Sequence, residues 1–412
     1  MSALSPTVMI GEKNVGAPCP KLKPSPRTAT ASRGGGVVAL FLAGFGTFVT
    51  LYAPQPLLPL FRHLFHASEL QVSLTVTAPV LAVALAAPLV GLLADALGRK
   101  RVIVTAMLGL ALPTALAASA SNLSALITWR FLQGLFIPGI AAVTMAYISE
   151  ESPEHAVGAT MSTYITGTVV GGFSGRLLSG LVAPHWGWRA AFVLLGAATL
   201  LSAMVTWWLL PRSTKFVPQR TAAASLQALR RHLQNPQLLA TYAVGFNVLL
   251  SLVGTFTYVN FYLADRPFGL GPAALSSIFA VYLIGAAVTP AAGRIIDRIG
   301  PRRALVGAVG LASAGMLLTL IQVLASVVAG LALCATGAFV CQSAASSHVG
   351  KAAGRARSSA SGLYLSLYYL GGSIGSVVPG LVWNHAGWIG CVALILAVQA
   401  ATAGMAYSLW ND

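Results

Sequence analysis

The sequence predicts an all-α membrane protein whose twelve transmembrane helices form two pseudo-symmetric six-helix bundles. Three observations carry that reading. Of 412 residues, 56% are apolar and only 8% charged, against roughly 25% charged in soluble domains. Apolar runs of about 20 residues follow one another with short polar breaks, each long enough to cross a ~30 Å hydrocarbon core as a helix. Two stretches also recur roughly 200 positions on, as tandem duplication of a helical unit would produce. GLLADALGRKR (Gly91–Arg101) returns as GRIIDRIGPRR (Gly293–Arg303), and GGFSGRLLSGLVAPHWGW (Gly171–Trp188) as GGSIGSVVPGLVWNHAGW (Gly371–Trp388).

The spans are expected near 37–61, 72–94, 102–121, 123–147, 158–183, 188–210, 237–263, 271–293, 304–322, 324–348, 359–383 and 387–409. They divide the chain into a disordered cytoplasmic tail (1–34), an N-terminal bundle (35–211), a cytoplasmic central loop (212–236) and a C-terminal bundle (237–412). The net charge of +16 is a topology signal. With the N-terminus inside, most of the Lys and Arg fall in the tail, at 99–101, in the central loop, at 294–303 and at 351–357. That asymmetry puts both termini in the cytoplasm and leaves no nucleic-acid surface to explain. The partners expected are the lipid bilayer, protons and a small molecule, and the chain is read as a monomer. Cys19, Cys334, Cys341 and Cys391 lack metal spacing and read as packed thiols; no metal or cofactor is expected.

The first span ends in LYAPQPLLP, where Pro54, Pro56 and Pro59 each remove a backbone donor and force a break. Tyr52, Gln55 and Pro59 share a face there, fit for a cavity wall. The fourth span carries Arg130 within LITWRFLQG, with Gln133 and Gly134 on its face. A charge facing lipid at that depth would cost on the order of 3 kcal/mol, so Arg130 is expected to face inward. In the fifth span Gly167, Gly171 and Gly175 form a small-residue stripe for close helix contact. Arg176 lies beside it with Gly172 and Ser179. After the sixth span, SLQALRRHL (225–233) reads as a short amphipathic helix. The second half offers Asn247, Tyr282, Gln342, Tyr364 and Tyr368 as cavity linings, but Ser376 stands where the first half has Arg176.

The paired turn resembles the loop signature of the major facilitator superfamily, found after the second span and again after the eighth. The resemblance carries to Gly91, Asp95, Gly98, Lys100 and Arg101, and to Gly293, Asp297, Gly300, Arg302 and Arg303. It implies a charge network that latches the halves in one conformation. LITWRFLQG is similar to the family's fourth-span motif, whose Arg is associated with proton coupling in antiporters. The glycine-rich fifth span resembles the antiporter signature but lacks its proline. LYAPQPLLP and GGFSGR are similar to the bacterial efflux branch related to acriflavine sensitivity and to sugar-efflux relatives.

No carboxylate is expected mid-membrane, so a lipophilic cation would lack a counter-charge. Gln55, Arg130 and Arg176 at similar depth point to an anionic or polar group on the substrate. Neither a nucleotide loop GxxxxGK[ST] nor a zinc motif HExxH is present, and no enzyme activity is expected. The expectation is a secondary transporter of the bacterial inner membrane, working by alternating access and proton-coupled efflux. A proton-linked importer of an organic anion and a non-transporting receptor are the alternatives.

Overall fold

The computed structural model describes residues 26–153, 156–213, 234–352 and 357–410, the side chains of 26–33, 91–97, 289–290, 297, 350–352 and 357–359 excepted. Among the described residues the regular structure is helical, without a strand. α1 (Pro26–Leu51) stops where the prolines begin, and a 3₁₀ turn (Gln55–Leu57) leads into α2 (Leu58–Leu64). α1 begins at Pro26, inside the stretch expected as a disordered tail. Proline is tolerated at a first helical position because its missing N–H has no partner there in any case. α3 (Glu69–Leu97) opens on a capping box, in which the Ser68 hydroxyl accepts from the Gln71 amide and the Gln71 side chain accepts from the Ser68 amide. α4 (Arg99–Leu116), α5 (Leu123–Glu151) and α6 (Val157–Leu209) complete the first half. The second half comprises α7 (Pro236–Ala264), α8 (Pro272–Ile278), α9 (Val281–Ile299), α10 (Pro301–Leu318), α11 (Leu324–Ala352) and α12 (Arg357–Leu409). The segment 225–233 lies outside the described residues.

α6 and α12 are each 53 residues long, roughly 80 Å at 1.5 Å per residue, far more than a ~30 Å core requires. Each breaks once, at Gly187 (φ 81°) and Gly387 (φ 54°), in backbone conformations that favour glycine. Each therefore supplies two spans. α1 continued by α2, α8 continued by α9, and the remaining long helices bring the total among the described residues to twelve.

The two halves are built alike. α1 packs chiefly on α6 and α7 chiefly on α12. In the first pairing Gly167, Gly171 and Gly175 lie against the carbonyls of Phe41, Phe45 and Val49. In the second, Gly371 and Gly375 lie against those of Phe246 and Leu250. A Cβ at any of these positions would run into backbone, so glycine is what allows the close approach. GGSIG (371–375) happens to have the G-x-S-x-G spacing of a hydrolase nucleophile elbow. It lies inside a continuous helix packed against α7, without the strand-to-helix turn that elbow needs.

The halves meet mainly through α3 on α12 and α6 on α8. Polar contacts across the divide are Gln55 Nε2 to Thr257 Oγ1 (3.2 Å), Thr77 Oγ1 with Ser376 Oγ (2.7 Å), Tyr258 OH to Ser73 Oγ (3.3 Å), and Arg62 to Asp265 (2.8 Å). These pairs cluster near the end where α1 and α7 finish and α3 begins.

Candidate functional site

A cavity of ≈ 260 Å³ lies between the halves, near the lower edge of the roughly 300–1,000 Å³ seen for small-molecule sites. α1 and its broken end contribute Phe48, Tyr52 and Gln55, and α6 contributes Tyr164, Thr168, Gly172, Phe173 and Arg176. From the other half come Leu252, Tyr282, Phe339, Gln342, Tyr368 and Tyr369. Among the described lining residues Arg176 is the one charged side chain, and none is a carboxylate.

Arg176 is only 4% exposed. Its Nε donates to Gln55 Oε1 (2.8 Å) and its Nη1 to the Gly172 carbonyl (2.7 Å). Its guanidinium carbon lies 4.7 Å from the ring centre of Phe279, 4.9 Å from Tyr282 and 5.0 Å from Tyr52. Aromatic faces present negative charge to a cation, each contact worth ~0.5–2 kcal/mol depending on desolvation, which offsets part of the cost of burial. Among the described residues Nη2 has no hydrogen-bond partner. Gln55 completes the arrangement. Its carbonyl oxygen accepts from Arg176 and its amide donates to Thr257, so one chain of bonds runs from the first half into the second.

Arg130 occupies a different place. It is fully buried within the first half and does not line the cavity. Nε donates to the Thr75 carbonyl (2.9 Å), Nη1 to the Thr50 carbonyl (2.9 Å) and to Gln133 Oε1, and Nη2 to the Leu51 carbonyl. Two of these carbonyls stand four residues before a proline: Thr50 before Pro54 and Thr75 before Pro79. In an uninterrupted helix the amides of residues 54 and 79 would have bonded them, and proline has none. Leu51 is released because the Gln55 amide turns to the Tyr52 carbonyl in the 3₁₀ turn. Arg130 thus satisfies the backbone that the breaks expose, and Gln133 is held beside it.

The residues expected at the cavity therefore separate. Tyr52, Gln55, Arg176, Tyr282, Gln342 and Tyr368 come together in its lining, while Arg130 and Gln133 sit behind the wall. Tyr364 donates to Gln342 Oε1 (2.8 Å) and stacks on Tyr368 without lining the cavity itself. Asn247 faces a second space of ≈ 30 Å³ inside the second half, with Ser251, Thr255, Gln399 and Thr402, enough for two or three waters at roughly 10–15 Å³ each. Tyr164 and Thr168 join the lining although residue type alone does not single them out. They continue the face of Gly172 and Arg176 at a spacing of four, and Tyr164 is the repeat counterpart of Tyr364, so both signals are present in the chain.

At the opposite end the two glycine turns match: Gly98 has φ 84° and Gly300 φ 85°. The side chains of Asp95 and Asp297 and the surroundings of Gly91 lie outside the described residues. Gly293 lies in α9, and among the described residues nothing stands within 4 Å of where a Cβ would be. Lys100 is half-buried, Arg101 and Arg303 are exposed, and the Arg302 guanidinium lies 4.4 Å from the Tyr407 ring centre. The ion pair described here is Arg99 with Glu150, bound through two nitrogens at 2.8 and 3.1 Å, a pair that the repeat conceals because Pro301 replaces Arg99 in the second copy.

Residues 40–376 match the Major Facilitator Superfamily family model. The chain belongs to that superfamily. It is a multi-pass membrane transporter, and not an enzyme. It is 36% identical over 359 residues to "Inner membrane transport protein YnfM" of Escherichia coli (strain K12), covering 87% of this chain and 86% of that one. To "Multidrug resistance protein MdtG" of Klebsiella pneumoniae (strain 342) it is 30% identical over 231 residues, 54% of this chain and 55% of the relative. Its fold is similar to the crystal structure of a point mutant of nucleoside transporter NupG, with a TM-score of 0.76 at 15% identity, covering 91% of this chain and 100% of that one.

Proposed function

We propose that this transporter exports a small molecule bearing an anionic or strongly polar group, by alternating access driven by a proton gradient, across the bacterial inner membrane with both termini in the cytoplasm. The observation that carries the reading is Arg176: a buried cation at the cavity wall, oriented by Gln55 and three rings, with Nη2 uncommitted. A desolvated guanidinium recognises an oxyanion by charge-assisted hydrogen bonds. A cationic substrate would meet charge repulsion there with no described carboxylate to offset it. The cation-rich loops support the orientation. On that orientation the Gln55–Thr257, Thr77–Ser376 and Arg62–Asp265 contacts close the outer side, and they must part for release. The name of the MdtG relative supports export, and an ion gradient is the energy source for a chain without a nucleotide loop. The glycine turns and their charges form the latch of the opposite conformation.

The test uses labelled benzenesulfonate, a permanently charged anion, in everted vesicles with an acidified lumen. Export predicts accumulation that collapses with a protonophore and is lost in Arg176→Gln. Accumulation only in right-side-out vesicles under an inward proton gradient would make it an importer. Saturable binding without flux in either orientation would make it a receptor.

A further inference from the structure

Resting on that reading, the lining narrows the substrate class. Among the described lining residues, aromatic rings are the largest group. Phe48, Tyr52, Phe173, Tyr282, Phe339 and Tyr368 come from both halves. Several are fixed by one another: Tyr282 lies 5.8 Å from Phe339, near perpendicular (80°), and Tyr368 stacks on Tyr364 at 5.9 Å. Side chains that lock each other in place form a preorganised slot, so a ligand has little ordering cost to meet. Seven described non-aromatic apolar side chains, among them Met145, Leu249, Leu252 and Leu365, complete the wall.

The lining favours one chemistry and disfavours two others. A lipophilic cation meets Arg176. A polyanion would need more than one counter-charge, and among the described lining residues there is one. What remains is a molecule with one acidic group for Nη2 and a flat, polarisable body for the rings. Ring–ring contacts add ~0.5–1.5 kcal/mol each beyond area burial in offset or edge-on geometry. The cavity's ≈ 260 Å³ limits that body to one or two rings.

We infer that this site takes planar aromatic monoanions, arylcarboxylates of one or two rings, with the acid on Arg176 and the ring plane between Phe173, Phe339 and Tyr368.

Equilibrium titration of the purified full-length chain in detergent tests this with three probes: 2-naphthoate, its saturated counterpart decahydro-2-naphthoate, and (2-naphthylmethyl)trimethylammonium. The expected result is 2-naphthoate binding at least tenfold tighter than the saturated acid, with no detectable cation binding. Phe339→Leu should erase most of the preference for the flat acid while acid binding persists. Arg176→Lys, which keeps the charge without the fork, should weaken both acids together. This pair of variants keeps the test informative should Arg176→Gln fail to fold. Equal affinity for flat and saturated acids would overturn the aromatic inference and leave the anion reading standing. Binding of the cation, or binding of neither acid, would overturn both.

Discussion

Two arginines lie buried in the same half, and their surroundings assign them opposite tasks. Arg130 has all three guanidinium nitrogens bound, chiefly to backbone carbonyls released by prolines. Arg176 has Gln55, one backbone carbonyl and three rings for partners, a place in the cavity wall, and, among the described residues, one nitrogen uncommitted. Burial and charge alone do not distinguish a structural cation from a ligand-binding one. The partners do. Where carbonyls orphaned by helix breaks surround a guanidinium, it completes the scaffold; where it reaches a cavity with a nitrogen uncommitted, an anion can bind it.

The largest test of that contrast removes the first arginine. Arg130→Met leaves the Leu51 and Thr75 carbonyls without their partner, and Thr50 with only the Ala53 amide at 3.4 Å, and should cost on the order of 3–5 kcal/mol. Thermal unfolding in detergent reads it, with loss of a monodisperse peak as the extreme outcome. A fold as stable as wild type would break the comparison. Arg176→Gln should instead weaken arylcarboxylate binding about tenfold to a hundredfold, the worth of a hydrogen bond to a charged group at roughly 1.5–3 kcal/mol, and equilibrium titration measures it.

A third test sharpens the comparison by changing the scaffold beside the second arginine. Gly175→Val drives a side chain into the Val49 carbonyl, and Gly375→Val into that of Leu250. Overpacking of this kind costs about 1–3 kcal/mol. The two variants should lose similar stability, since the repeat builds the same contact twice, although only the first half carries an arginine next to it. A melting temperature lowered in one variant alone would show the halves to be less equivalent than their geometry. The smallest effect is expected at the closed end. Asp265→Asn removes a partly exposed partner of Arg62, worth roughly 0.2–1 kcal/mol. It should move spin-label distances between residues 64 and 270 toward the separated state without lowering the melting temperature measurably.

Much of this is legible in the chain. Length, hydropathy and the recurring glycine turns specify twelve spans in two halves, because backbone polar groups in hydrocarbon leave few architectures open. The stripe at 167, 171 and 175 announces close helix contact by its spacing. The site is legible only in part. Arg130 and Arg176 look alike in sequence, each an arginine in an apolar span with polar neighbours three or four residues away. What separates them is which carbonyls lie nearby, and that depends on how α1 and α3 cross α5. The prolines hold the clue, since each names the carbonyl four residues earlier that it cannot serve. Residue type alone puts Asn247 at the cavity, and helix rotation turns it into the second half instead. Thr257 has no signature at all, because its role exists only through Gln55 across the divide.

The most direct measurement is the thermal shift produced by 2-naphthoate on wild type and on Arg176→Gln, run side by side. The account predicts similar unliganded melting temperatures and a ligand-induced rise in wild type alone. An equal rise in both proteins would contradict it.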